Sequence, residues 1–174
     1  MKLNAFSVRR SAGLLGAGAA LAILGATLAQ ASGRNARPIR HQLTATVEEV
    51  DIRTGPVPSA GSTVTAAATI ESTPGGNGAQ VTHLRFTGPT AAPATFGFTG
   101  HATEFFDRGS VRFVLNGTLA LEPGGKLKFD GKGKITGGTG AYNGATGRVR
   151  FAGTAPSAAA GHVDTLHYRG TISY

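Results

Sequence analysis

The chain contains no cysteine. Disulfides, thiolate metal sites and cysteine nucleophiles are therefore excluded, and the fold must be held by its core and by closing its own sheet. Helix signals are almost missing beyond residue 40. No Gly-Lys-Ser/Thr follows a glycine loop, so a Walker phosphate cradle is absent. No G-x-S-x-G elbow marks a hydrolase serine, and no H-x-H or H-E-x-x-H spacing marks a zinc centre. Acidic residues are few: 9 Asp and Glu stand against 17 Lys and Arg, a formal net charge of +8.

That positive excess is unevenly placed. Lys2, Arg9 and Arg10 fall in the first residues, and without them 14 basic residues face 9 acidic ones. Setting aside Arg34, Arg37 and Arg40 as well leaves 11 against 9. A nucleic-acid binder carries a clustered basic face with aromatic or helical readers, so no nucleic-acid partner is expected.

Met1 to Ala31 reads as an export signal. Lys2, Arg9 and Arg10 form its basic start, Ala12 to Leu28 its uncharged apolar run, and Ala29-Gln30-Ala31 the small-x-small cleavage pattern. Cleavage after Ala31 leaves no stable membrane anchor and predicts a secreted or periplasmic protein. Arg9-Arg10 suggests twin-arginine export, but Ser11-Ala12-Gly13 lacks the bulky apolar pair expected soon after. No cysteine follows the apolar run, which excludes a lipoprotein anchor. Residues 32–40 are expected to be a disordered basic segment and residues 41–174 a β-barrel domain.

What remains is a series of period-2 patterns separated by Gly, Pro, Asn and Ser. Eight strands are predicted: His41–Ile52, Ser62–Glu71, Gln80–Thr87, Ala94–Phe106, Ser110–Leu121, Lys126–Thr136, Gly147–Thr154 and Val163–Tyr174. An all-β, single eight-stranded antiparallel up-and-down barrel follows, since closure removes exposed sheet edges. A β-sandwich is the alternative, because strand number does not separate the two.

Alternation assigns the faces. Leu127, Phe129, Gly131, Gly133 and Ile135 share one side of the sixth strand; Lys126, Lys128, Asp130, Lys132 and Lys134 share the other. Charges prefer water, so the apolar side points inward and the lysine row is a solvated face. The same logic turns Phe96, Phe98, Phe106, Val111, Phe113, Leu115, Leu119, Leu121, Val149, Phe151, Leu166, Tyr168 and Ile172 inward. Many inward positions are glycine. Either they permit strong coiling, with aromatic rings packed over the gaps, or they leave a lumen open for a ligand.

Three carboxylates break the pattern. Glu49 shares a face with Leu43, Ala45 and Val47, Glu104 with Phe96, Phe98 and Phe106, and Asp164 with Leu166 and Tyr168. An inward carboxylate has a raised pKa and often a function, unless it sits at a strand end and reaches water. The up-and-down path puts Glu49 and Asp164 at one mouth. It puts Glu104 at the other, where Glu104, Tyr142 and Arg108 are expected to frame an opening.

The densest glycine cluster is Gly137-Gly-Thr-Gly-Ala-Tyr-Asn-Gly-Ala-Thr-Gly147. It joins two strands rather than opening a helix, and Gly144 stands one residue too far for a dinucleotide fingerprint. The segment resembles the GGTG-x-aromatic-x-x-A-x-G signature of the allene oxide cyclase/dirigent-like β-barrel superfamily, and secreted bacterial members in particular. Tyr168-Arg-Gly-Thr-Ile-Ser-Tyr174 is similar to their closing strand. The close match covers about the last third of the chain. The resemblance implies an eight-stranded barrel that binds an apolar or phenolic small molecule and steers its cyclisation or coupling. It also implies oligomers. If the protein is an enzyme, it is isomerase- or cyclase-like; the alternatives are a non-catalytic carrier and a packed structural or interaction module of the cell exterior. The candidate ligand contacts are Phe96, Phe98, Phe113, Phe129, Tyr142 and Tyr168, and the candidate catalytic groups are Glu104 and Tyr168. No cofactor and no metal are expected.

Overall fold

The computed structural model describes residues 37–54, 58–157 and 162–174, with the side chains of 52–54 left aside. The expected export signal and most of the basic segment after it lie outside these residues. Eight strands are present: β1 (Arg40–Thr54), β2 (Thr63–Thr73), β3 (Gly76–Pro89), β4 (Thr95–Phe106), β5 (Gly109–Leu121), β6 (Leu127–Gly138), β7 (Thr146–Ala155) and β8 (Val163–Ser173). Each pairs antiparallel with its sequence neighbour, and β1 pairs with β8, so the sheet closes into a barrel. The sandwich alternative is thereby removed. β1 begins at Arg40, and Ile39 extends the seam through reciprocal backbone bonds with Tyr174.

The register fixes the dimensions. A row of facing residues leaves β1 at Asp51 and passes Ala66, Thr82, Ala102, Phe113, Ile135, Gly147 and Ile172. It returns to β1 at His41, ten residues from its start. A ten-residue stagger over eight strands tilts the strands by about 41° and gives a radius of about 8 Å. Such an interior is filled by side chains or holds one small ligand.

Alternation places the core as expected, with Val47, Phe86, Phe113, Leu119, Leu127, Ile135, Tyr168 and Ile172 all buried. One inward assignment fails. Leu121 is 41% exposed, because it ends β5 at the barrel rim beside the Glu122–Lys126 turn. The start of β3 also differs from expectation. It was expected at Gln80, but Gly76, Asn77 and Gly78 already belong to β3. A Cβ at Gly78 would meet the Phe105 carbonyl oxygen and sit 2.8 Å from the Phe106 ring, so the position takes glycine.

The inward glycines have the same use. The row Tyr168, Phe151, Gly131, Gly117, Phe98 crosses five strands. Because Gly131 and Gly117 present no side chain, Phe151 and Phe98 lean over them and stack on each other at 6.2 Å. Rings packed over glycine gaps, rather than an empty lumen, describe this belt.

Candidate functional site

Among the described residues, six polar side chains are buried in this wall: Glu49, Ser72, Gln80, Thr82, Glu104 and Asp164. Four of them belong to one inter-strand row, which reads Asp164, Glu49, Ala68, Gln80, Glu104. Because the barrel is staggered, this single row climbs from one mouth towards the other. The expectation that Glu49 and Asp164 meet where β1 and β8 close is met, since they are register partners.

Gln80 ties the row to its surroundings. Its Nε2 donates to Thr82 Oγ1 at 2.8 Å and to the Tyr168 hydroxyl oxygen at 3.3 Å. Its Oε1 has no hydrogen-bond partner. Glu104, directly across on β4, has an Oε1 in the same condition. Both residues are 1% exposed. Gln80 and Thr82 were not singled out from the sequence. The available signal was their alternation with Leu84 and Phe86 on β3, where two uncharged polar groups read as an unremarkable face.

Burial sets the electrostatics. It pushes the Glu104 carboxyl up to about 8. Glu49 is also pushed up to about 8, by burial first and then by the negative charges of Asp51 and Asp164. The Tyr168 phenol is raised by burial and by Glu49, while its bond to Gln80 acts in the other direction. At neutral pH, Glu104 therefore holds its proton in a substantial fraction of molecules and can both donate and accept at one carboxyl.

The aromatic candidates divide between two regions. Phe98, Phe113, Phe129, Tyr142 and Tyr168 are buried and Phe96 is half-buried. Tyr168 contacts Phe113 and Phe151, with ring centroids 6.4 and 5.6 Å apart. Phe96 and Phe129 lie together further from Glu104, each opposite Leu119. The structure thus brings Glu104, Gln80, Tyr168 and Phe113 to one region and leaves Phe96 and Phe129 at the opposite end.

The mouth near Glu104 is not framed by Tyr142 but filled by it. The glycine-rich loop makes a short 3₁₀ turn, Gly140–Tyr142, that lowers the Tyr142 ring to 2% exposure against Phe106 and Tyr174. Burial raises the Tyr142 phenol, and its hydroxyl has no hydrogen-bond partner. Arg108 stays exposed in the β4–β5 turn. Its backbone carbonyl receives the Ala141 N–H at 2.8 Å, and the Thr139 N–H donates to the Ser110 carbonyl at 2.9 Å. The turn and the loop are thereby latched together over the barrel end.

One group of metal-ligating side chains stands close together among the described residues. Glu49, Asp51 and Asp164 bring carboxylate oxygens within 4.8 Å of one another, a donor type suited to hard cations. Asp51 and Asp164 have further polar contacts of their own.

No protein-family model matches the sequence. No curated protein matches it either. Solved structures match by shape. One pterocarpan synthase dirigent protein aligns with a TM-score of 0.53 at 10% identity, over 79% of this chain and 87% of that one. A second pterocarpan synthase dirigent protein aligns with a TM-score of 0.55 at 11% identity, over 79% and 97%. Pyocyanin demethylase aligns with a TM-score of 0.42 at 18% identity, over 76% and 99%. The chain has the dirigent-like eight-stranded barrel fold.

Proposed function

We infer that the barrel binds one small, largely apolar or phenolic molecule, with the ligand's polar group seated against Gln80, Glu104 and Tyr168. One observation carries this reading: Gln80 and Glu104 are register partners on β3 and β4, both are buried, and each has a side-chain Oε1 without a hydrogen-bond partner. A buried acceptor left unsatisfied costs about 1–3 kcal/mol, so a ligand hydroxyl that bonds there recovers that cost on binding. The flanking rings of Phe113 and Phe151 supply apolar and stacking contact. Glu104, proton-bearing near neutral pH, can exchange a proton with the bound group. The dirigent barrels of like fold are pterocarpan synthases. By analogy of fold alone, the proposal extends to a wall that steers the cyclisation or coupling of its ligand. The N-terminal segment supports placing this function outside the cytoplasm.

The packed interior favours a second reading, a structural barrel without a ligand. Phe98, Phe151 and Tyr168 form a continuous chain of ring contacts across the core. Native mass spectrometry of the protein purified from its own host separates the two. The first reading expects a stoichiometric small-molecule adduct, or uptake from phenolic and fatty-acid libraries, that weakens on Glu104→Gln. A bare mass that no library compound changes would establish the packed barrel.

A further inference from the structure

The outer wall carries an arrangement independent of the interior site. Outward residues of β5 to β8 form two parallel rows across the strands. One reads Asn116, Lys132, Arg150, Arg169, and the other Val114, Lys134, Arg148, Thr171. Lys132 therefore lies directly opposite Arg150, Arg150 opposite Arg169, and Lys134 opposite Arg148. All five cations are exposed. Like charges directly opposite on one sheet face repel and destabilise the pairing. No carboxylate occupies either row. The nearest along β6 is Asp130, two positions before Lys132. Between the rows, the backbone of Gly133, Val149 and Gly170 floors a groove of about 700 Å³. Its three inter-strand steps span about 14 Å.

Self-repulsion of this kind is relieved by an external counter-charge lying between the rows. The guanidinium forks of Arg148, Arg150 and Arg169 match carboxylate and sulfate groups bidentately. The groove lining contains no aromatic ring. Single-stranded nucleic acid uses such rings as stacking platforms, and a duplex reader needs an element that enters its groove. A membrane surface takes up aromatic and bulky apolar side chains, whereas the one large exposed apolar residue in this lining is Val114. We propose that the groove binds a linear acidic polysaccharide, extended across β5 to β8 with its carboxylate or sulfate groups between the two cation rows.

The test is titration of the purified protein with a heparin-derived hexasaccharide and with oligogalacturonate over a range of salt. Neutral dextran oligosaccharide, single-stranded DNA of equal charge and phosphatidylglycerol vesicles run in parallel. The acidic glycans bind, dextran does not, and affinity falls with salt. The double change Arg150→Gln and Arg169→Gln lowers glycan affinity by at least about 10-fold, and the log–log salt slope falls by about one per cation removed. Its thermal midpoint holds or rises, because the Arg150–Arg169 repulsion is gone, so lost binding is not lost folding. Arg85→Gln, exposed on β3, leaves affinity and slope unchanged. Tighter binding to DNA or vesicles than to glycan would overturn the proposal. So would glycan affinity that ignores the double change, or no glycan binding even at low salt.

Discussion

Gln80 and Glu104 stand opposite each other across β3 and β4, both buried, and each keeps one side-chain oxygen without a hydrogen-bond partner. Facing side chains of an antiparallel pair have Cβ atoms about 5 Å apart, so the two oxygens address one small region of the interior. Everything proposed for the interior follows from that pair and from what burial does to Glu104.

The first prediction concerns pH. Glu49 and Glu104 are raised to about 8 when folded, from 4.5. The folded state keeps these protons at pH values where the unfolded chain has released them. Their contribution to stability is therefore fully present below pH ~4.5 and is lost as pH rises towards ~8. Urea unfolding across that window should show the decline. Glu104→Gln should flatten it by roughly one group's share.

Tyr142 separates packing from hydrogen bonding. Its hydroxyl is buried without a partner, while its ring packs on Phe106 and Tyr174. Tyr142→Phe should be neutral or stabilising, because it removes an unsatisfied polar atom. Tyr142→Ala should cost about 3–5 kcal/mol through loss of the plug. Equal effects of the two changes in chemical denaturation would contradict this account.

The latch between the β4–β5 turn and the glycine-rich loop rests on two close backbone approaches. Gly109 has φ +140°, and a Cβ there would meet the Thr139 carbonyl; Gly140 has φ +57°, and a Cβ there would meet the Arg108 carbonyl. Gly124, at φ +85°, has open space around it. Alanine at Gly124 should cost about 1 kcal/mol through backbone strain alone. Alanine at Gly109 or Gly140 should cost clearly more, since backbone must also move. Thermal unfolding of the three variants gives the comparison.

Tyr168→Phe tests the polar row from its other end. Gln80 Nε2 keeps its 2.8 Å bond to Thr82, so only the longer bond to the phenol is lost. Stability should fall by about 0.5–1.5 kcal/mol. Ligand retention in native mass spectrometry should fall with it if the phenol orients the bound molecule, and should be untouched if the ligand's polar group is held by Gln80 and Glu104 alone.

Strand number and inward faces were legible in the sequence because alternation and turn residues encode them locally; closure was expected from the need to remove sheet edges, with a sandwich beside it, and the β1–β8 pairing decides it. The lysines of β6 fixed the phase of that strand, and the structure keeps Leu127, Phe129 and Ile135 inside. What escaped depends on neighbours that are distant in the chain. Gly78 fell before the expected start of its strand because Phe105 and Phe106, which crowd it, come from another strand. The β6 lysines read as an ordinary wet face, since only the register with β7 and β8 sets Arg150 and Arg169 beside Lys132. A one-residue slip would move those side chains to the other face, and nothing in a single strand's pattern states its partner. Tyr142 read as a rim residue because its descent into the barrel requires a turn conformation that glycine allows but does not announce.

The β1–β8 seam has a consequence in time. Residues near 40 must wait for residues near 174 before either edge is satisfied, as the Ile39 and Tyr174 backbone bonds show. Until β8 has emerged from the ribosome, the first strand has only half its partners and the growing sheet stays open at both sides. Closing so long a loop is entropically slow, and open edges invite pairing with other chains. Closure of the barrel is therefore a late event in the folding of this chain.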